Sequence, residues 1–116
     1  MSNAADLRKQ KCRHQLTALN AEGIAQRLPA VAAWKLQDGK IVREFTFADY
    51  YDTLAYVNAL AYIIHAEDHH PELVVTYNRC IVKFNTHSVN DGKGGLSEND
   101  FICAAKLDAL FERSFA

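Results

Sequence analysis

The stretch HAEDHHPELVVTY, residues 65–77, marks the point where a helical pattern changes into a strand pattern. Pro71 disfavours helical geometry at the residue before it, so a helix that enters this stretch has to end by His70. The β-branched and aromatic residues that follow Pro71 are typical of a strand. Three of the five histidines lie in the first six positions. The junction therefore predicts a helix exit that carries imidazoles.

The segments on either side of this junction predict a long helix and a hairpin. Apolar residues recur at steps of three and four over residues 50–64, which is the spacing of an amphipathic helix. Thr46 with Asp49 resembles a capping box at the start of this helix. On the other side, ELVVTYNRCIVKFNTH predicts two strands with the turn at Asn78-Arg79.

Local signals further out predict the remaining elements. A first helix is predicted over residues 20–28. The Asp38-Gly39 pair between apolar segments predicts a hairpin, because both central residues of a type I′ turn need positive φ. Ser97 with Asp100 caps a last helix. The order α-β-β-α-β-β-α predicts an α+β fold, with a four-stranded antiparallel sheet and three helices packed on one of its faces.

The composition narrows the classes of function. The 116 residues are enough for one domain, and the formal net charge of -1 gives no electrostatic case for binding nucleic acid or an anionic membrane. No apolar run reaches the roughly 20 residues needed to span a bilayer. The basic tract LRKQKCRH predicts a flexible N-terminal segment over residues 1–16, before a domain over residues 17–116. The three cysteines lie far apart and predict reduced thiols in a cytoplasmic protein.

The clustered histidines admit three interpretations. The predicted hairpin returns the chain to the edge from which it started, so His87 is expected close to His70. Such a cluster is a surface feature, a metal site or an acid–base centre. His65 and His69 have the i, i+4 spacing of zinc-binding helices, but the glutamate of H-E-x-x-H is missing and no third ligand follows at a familiar spacing. Acid–base chemistry needs only imidazoles around a pocket, and it uses two when protons leave and arrive on different atoms.

A longer pattern runs through these histidines. It consists of an acidic residue or histidine, three spacers, His-His-Pro, an aromatic residue, a later histidine and a downstream aspartate. In this chain the pattern falls on His65, His69, His70, Pro71, Tyr77, His87 and Asp100. With the further stretches THSV, GGLSENDF and AAKLDAL, it resembles the pterin-4a-carbinolamine dehydratase family over roughly residues 17–112.

The resemblance implies a fold, a reaction and an assembly. The family's fold, three helices against a four-stranded antiparallel sheet, agrees with the fold predicted above. Its reaction is the dehydration of 4a-hydroxytetrahydropterin to quinonoid dihydropterin, a hydro-lyase step that recycles the cofactor of aromatic amino acid hydroxylases. The resemblance further implies a pterin as the ligand, no metal, no organic cofactor, and self-association into a homodimer or homotetramer.

The same resemblance implies the site residues, position by position. The family's histidine triad falls on His69, His70 and His87, which are the expected catalytic residues. Substrate-binding residues are expected beside that triad, and they are His65, Asp68, Pro71, Thr86, Ser88 and Val89. The assignment of acid and base among the three histidines stays open.

A non-catalytic role on the same scaffold is the alternative. Animal members of the family also act as dimerisation partners of a homeodomain transcription factor, so the resemblance admits a binding or assembly module as well. The intact histidine triad favours an enzyme. Two features depart from the usual pattern of the family: His65 stands where many members have glutamate, and the loop over residues 88–95 is longer.

Overall fold

The computed structural model describes residues 3–116 and forms one sheet with helices against it. The predicted order of helices and strands is present, with one further helix at the N-terminus and a 3₁₀ turn over Leu28–Val31 after the second helix. The elements are α1 Ala4–Lys9, α2 Ala21–Arg27, β1 Lys35–Gln37, β2 Lys40–Thr46, α3 Tyr50–Glu67, β3 Glu72–Val75, β4 Arg79–Phe84 and α4 Glu98–Ser114.

The sheet has the strand order β1-β2-β4-β3, and all neighbouring strands are antiparallel. This confirms the predicted four-stranded antiparallel sheet. In the first hairpin, Asp38 and Gly39 have φ values of 53° and 77°, as a type I′ turn requires. In the second hairpin, Tyr77 and Asn78 connect the strands, one residue earlier than the predicted Asn78-Arg79 turn.

The helices pack on one face of the sheet, as predicted. Phe45 of β2 contacts Tyr56 of α3 and Phe111 of α4, with ring centroids 4.8 Å and 5.2 Å apart. Trp34 lies beside Phe84 of β4, at 5.7 Å between ring centroids. Offset and edge-on aromatic pairs add to the free energy gained by burying their area. This aromatic cluster joins both long helices to the two central strands.

Helix α3 begins and ends at aspartates. Asp49 accepts a hydrogen bond from the Asp52 N–H at 2.9 Å and is the N-cap, whereas Thr46 is the last residue of β2. The predicted capping box with Thr46 is therefore wrong. At the other end Asp68 adopts the left-handed conformation, with φ 49°, and stops the helix before His69. Aspartate tolerates this conformation better than most residues do.

The N-terminal segment, predicted to be flexible over residues 1–16, contains a helix. Residues 1 and 2 lie outside the described residues, but Ala4–Lys9 form α1 and the Leu7 side chain is fully buried. The Arg8 Nε donates to the Ala105 carbonyl of α4 at 3.2 Å. An apolar side chain and a backbone contact thus hold the segment against α4. The boundary at residue 17 stays a prediction.

None of the helices formed by residues 3–116 combines the length and the apolar character that crossing a membrane requires.

A buried carboxylate ties the sheet to α4. Asp108 accepts hydrogen bonds from the Trp34 indole N–H at 2.8 Å and from the Arg43 guanidinium at 2.6 Å. The Arg43 guanidinium also lies over the Phe45 ring, 4.3 Å from its centroid. Because the Asp108 side chain is only 8% exposed, its removal leaves an indole donor and a guanidinium without their acceptor.

Replacing Asp108 with alanine should lower the free energy of unfolding by about 3–5 kcal/mol, the range for breaking a buried ion pair from one side. The matched control is Glu112→Ala on the same helix, because Glu112 is 61% exposed and pairs with Arg8 at 3.4 Å. That variant should change the free energy by less than about 1 kcal/mol. Urea denaturation of both variants provides the measurement. Equal losses would show that Asp108 is no more important than a surface carboxylate.

Candidate active site

His69 is the histidine that the fold places inside the protein. It follows the left-handed Asp68 directly, so the chain turns inward after α3 and the imidazole becomes buried. The ring stacks on Phe84 of β4, with centroids 5.7 Å apart and planes 5° from parallel. Its Nε2 lies 2.6 Å from Oδ1 of Asp100. Stacking and hydrogen bonding together fix the orientation of this imidazole.

Asp100 is a fully buried carboxylate that binds three chain segments at once. One oxygen contacts His69, and the other accepts hydrogen bonds from the Thr86 hydroxyl and the Ser97 N–H, both at 2.9 Å. The Thr86 and Ser97 hydroxyl oxygens are 2.6 Å apart. The predicted capping box of Ser97 and Asp100 at the start of α4 is confirmed. The helix N-terminus adds a favourable field for a negative charge at Asp100.

The partner of His69 determines which ring nitrogen is free for chemistry. An ionised carboxylate only accepts hydrogen bonds, so the proton of the neutral imidazole lies on Nε2. Nδ1 of His69 then keeps a lone pair and can accept a proton. The imidazolium that forms is stabilised by the adjacent carboxylate, as in other histidine–aspartate pairs. This pair is thus equipped to move a proton.

A cavity of about 250 Å³ opens beside this pair. Four stretches of the chain form its walls: the end of α3, the segment after β4, the N-terminal segment between α1 and α2, and the first turn of α4. Its lining residues are Cys12, Arg13, His14, Gln15, Glu67, Asp68, His69, Thr86, Ser88 and Asn99. The volume lies just below the range of about 300–1,000 Å³ that is common for small-molecule sites.

Two buried side chains hold the N-terminal wall of this cavity in place. Asn99 accepts from the Arg13 N–H at 3.1 Å and donates to the Arg13 carbonyl at 2.6 Å. Glu67 accepts from the Cys12 N–H at 2.8 Å and from Lys106 at 2.6 Å. Burial alone would raise the pKa of Glu67, but the hydrogen bonds from Lys106 and Cys12 outweigh it and hold that pKa below its ordinary value.

The loop over residues 88–95 closes back on the site. Thr86 and Gly95 exchange two backbone hydrogen bonds, of 2.7 Å and 3.1 Å. The Ser88 hydroxyl donates to the Gln15 carbonyl at 3.3 Å, and the Asn90 N–H donates to the Leu16 carbonyl at 3.1 Å. The loop therefore binds the N-terminal segment, and the two together form the rim of the cavity.

The predicted site residues fall into two groups. Asp68, His69, Thr86 and Ser88 line the cavity, whereas the others do not. Among the others, the three histidines are exposed: His65, His70 and His87. Pro71 is half-buried, and Val89 is fully buried. The His70 Nε2 lies 3.4 Å from Oδ1 of Asp68.

His65 and His69 do not lie on one face of a helix, as the i, i+4 spacing of a zinc-binding helix would require. Because α3 ends at Glu67, His65 stays exposed on the helix while His69 turns inward to Asp100. Within residues 3–116, no group of three or more histidine, cysteine, aspartate or glutamate residues is arranged to hold a metal ion.

The sequence carries no sign of the N-terminal wall, and it does not show the contact between Asp100 and His69. Arg13 and His14 belong to a basic tract that carries no sign of a site, and hydrogen bonds with Asn99 and Ser88 hold Arg13 and Gln15 at the cavity. Asp100 was recognised as a capping residue and as part of the pattern, but its contact with His69 spans 31 positions of sequence.

Comparisons with known proteins give a consistent result. The family model described as pterin 4 alpha carbinolamine dehydratase matches residues 17–110. A protein of Bdellovibrio bacteriovorus is 54% identical over 116 residues, which cover 100% of this chain and 97% of that protein. A protein of Nitrosomonas europaea is 46% identical over 118 residues, covering 97% of this chain and 99% of that protein. Both carry the provisional name pterin-4-alpha-carbinolamine dehydratase.

A solved structure is similar as well. The crystal structure of the transcriptional coactivator/pterin dehydratase from Brucella melitensis superposes with a TM-score of 0.74 and 30% sequence identity. The match covers 81% of this chain and 98% of that one. The solved structure therefore shares the fold of this chain.

Replacing Asp100 with asparagine should release His69 from a single tautomer. An amide offers one oxygen where the carboxylate offers two, so at least one buried donor loses its acceptor at a cost of about 1–3 kcal/mol. Imidazole ¹⁵N chemical shifts should show the Nε2–H tautomer at His69 in the wild type and a mixture in the variant. The control is Asp52→Asn, because Asp52 is an exposed carboxylate in the first turn of α3. This variant should change neither the stability of the protein nor the His69 ¹⁵N shifts. Unaltered His69 shifts in the Asp100 variant would contradict the assignment.

Proposed function

Because this chain belongs to the pterin-4a-carbinolamine dehydratase family, we propose that it is a hydro-lyase that converts 4a-hydroxytetrahydropterin into quinonoid dihydropterin and water. The product returns to the cofactor pool of aromatic amino acid hydroxylases. The observation that carries the proposal is the His69–Asp100 pair, 2.6 Å apart in the wall of a cavity of ligand size. His69 is also a member of the family's histidine triad.

The reaction requires two proton movements on one small ring system. The bond from C4a to its hydroxyl oxygen breaks, and the oxygen leaves as water once it has accepted a proton. The proton on N5 is lost, and its electron pair forms the double bond between N5 and C4a. A general acid and a general base satisfy both needs, each contributing on the order of 10²–10⁴ in rate. No step needs a metal or an organic cofactor.

We assign these proton transfers to His69, His70 and His87 as a set. His69 accepts or donates a proton at Nδ1 while Asp100 holds its Nε2–H. His70 follows His69 directly, and His87 follows the cavity residue Thr86 directly, so each is adjacent in the chain to a residue that lines the cavity. Their exposure leaves them free to turn towards a bound ring. The expected proximity of His70 and His87 remains part of the proposal.

The remaining site residues are proposed to bind the substrate. Asp68 and Ser88 line the same cavity as His69 and can hydrogen-bond the amide and amino edge of a pterin. Pro71 and His65 would contribute at the rim. Val89 is fully buried, so a contact with the substrate would come from its backbone.

Self-association into a homodimer or homotetramer belongs to the same proposal. The outer face of α3 carries two exposed aromatic side chains, Tyr51 at 80% and Tyr62 at 75%. Strands β1 and β3 are the edges of the sheet, and uncovered edges favour pairing with another chain. Both features support contact between copies.

A non-catalytic partner of a transcription factor is the second candidate. Its support is the description of the Brucella melitensis protein as both coactivator and dehydratase. A binding module has no need for a buried histidine–carboxylate pair beside a cavity. Turnover assays with the carbinolamine separate the two candidates.

Single replacements of His70 and His87 with alanine should each lower kcat/KM for carbinolamine dehydration by on the order of 10²–10⁴. Because both side chains are exposed, the melting temperatures should stay close to that of the wild type. His65→Ala is the matched control: it is also an exposed histidine at the end of α3, and we expect its loss of activity to be less than about tenfold. The assay follows quinonoid dihydropterin formation above the spontaneous rate.

The double variant of His70 and His87 gives the decisive outcome for this proposal. Near-normal turnover in that variant would exclude the histidine mechanism. Absence of turnover in the wild-type protein, in contrast, would favour the binding-module interpretation.

A further inference from the structure

Two cysteine sulfurs meet at the N-terminal wall of the cavity. Cys12 Sγ lies 3.5 Å from Cys103 Sγ, although 91 positions separate them in sequence. Cys12 belongs to the stretch that lines the cavity, and Cys103 lies on α4, one turn after Asn99. The Cys12 Sγ also lies 3.6 Å from the Asn99 carbonyl. The two thiols therefore bridge the wall and the helix that supports it.

The separation of the two sulfurs is close to that needed for a covalent bond. A disulfide has a sulfur–sulfur distance of about 2.05 Å, so a closure of roughly 1.5 Å is required. Cys12 lies outside the helices and strands, in a segment whose N–H groups donate hydrogen bonds to Glu67 and Asn99. Rotation of its side chain with a small shift of this segment supplies such a movement.

We propose that Cys12 and Cys103 form a redox-modification site, at which a low-molecular-weight disulfide such as oxidised glutathione converts them into an intramolecular disulfide. The bond would tie the N-terminal wall of the cavity to α4. This inference does not depend on the reaction proposed above, because it concerns only the two thiols and the segment they join.

The different environments of the two thiols give the order of the steps. Cys12 is half-buried and within reach of a reagent, whereas Cys103 is fully buried. The contact with Cys12, together with burial, raises the pKa of the Cys103 thiol. A thiolate is the attacking species in thiol–disulfide exchange. Cys12 is therefore the first nucleophile.

The exchange balances in two steps. The Cys12 thiolate attacks one sulfur of the reagent, whose disulfide bond breaks and releases one thiolate. The Cys103 thiol then gives its proton to that released thiolate, and its sulfur attacks Sγ of Cys12, releasing the second half of the reagent. Two electrons and two protons pass from the protein to the reagent, which leaves as two thiols. Proximity of the two sulfurs favours the second step over escape of the mixed disulfide.

The third cysteine provides a control inside the same chain. Cys80 is fully buried on β4, and burial raises its pKa to about 11. A thiol that is both buried and protonated is inert towards exchange. The predicted product therefore contains Cys12 and Cys103 only.

The experiment treats the full chain with oxidised glutathione under native conditions and analyses the product by intact mass and non-reducing peptide mapping. We expect loss of two hydrogen atoms and a cross-link between the peptides that contain Cys12 and Cys103. Cys80→Ser should still form this bond. Cys103→Ala should stop at a glutathione adduct on Cys12, and Cys12→Ser should remain reduced.

Several results would overturn the proposal. A wild-type protein that keeps glutathione on Cys12, stays fully reduced, or cross-links through Cys80 lacks the proposed site. A bond that forms only in urea would also reject it, because the folded geometry would then play no part.

A second readout tests whether the bond fixes the wall. The disulfide closes a long loop between residues 12 and 103, so the oxidised protein should melt at a temperature higher by about 5 °C or more, reversibly with dithiothreitol. Amide exchange over residues 12–16 should slow by at least about tenfold, because local opening of the segment is suppressed. Unchanged exchange in a fully cross-linked sample would contradict the proposed effect on the wall.

Discussion

The buried carboxylate of Asp100 is the constraint on which the rest of the site depends. A charge without solvent has to be surrounded by donors, and here the donors come from His69, Thr86 and Ser97. These residues lie after α3, after β4 and at the start of α4, so one carboxylate fixes the relative positions of three segments. Since Asp100 is itself the N3 residue of α4, the helix that is capped is also the helix that orients the imidazole.

Two neighbouring histidines acquire different environments from one backbone feature. The left-handed Asp68 ends α3 and turns His69 towards Phe84, while His70 remains outside before Pro71. His69 thus offers an imidazole that is held in place, and His70 offers one that can move. Acid–base chemistry on a ring with two reacting positions needs groups on different sides of it. The N-terminal wall adds a third side, held by buried side chains rather than by its own secondary structure.

Local signals in the sequence were sufficient for most of the fold. Asp38 takes the positive φ that its turn demands, Pro71 separates helix from strand, and Ser97 starts the last helix. What the sequence could not provide depends on contacts between distant segments. The N-terminal wall exists because Asn99 binds a backbone stretch 86 positions earlier, and a basic tract gives no sign of such a partner. The prediction of a capping box at Thr46 is wrong because β2 extends through that residue, and Asp49 alone caps the helix.

The proposed function requires that a pterin binds beside the His69–Asp100 pair. The most direct test is a ¹⁵N–¹H titration with a reduced pterin that lacks the 4a-hydroxyl and therefore cannot react. A pterin in this cavity should change the amide shifts of residues 13–15, 68–70 and 86–88, at the walls and rim of the cavity. A larger cavity of about 420 Å³ between α1, α3 and α4 contains none of the predicted site residues. Shift changes confined to its lining, around Tyr62 and Leu110, would contradict the claim.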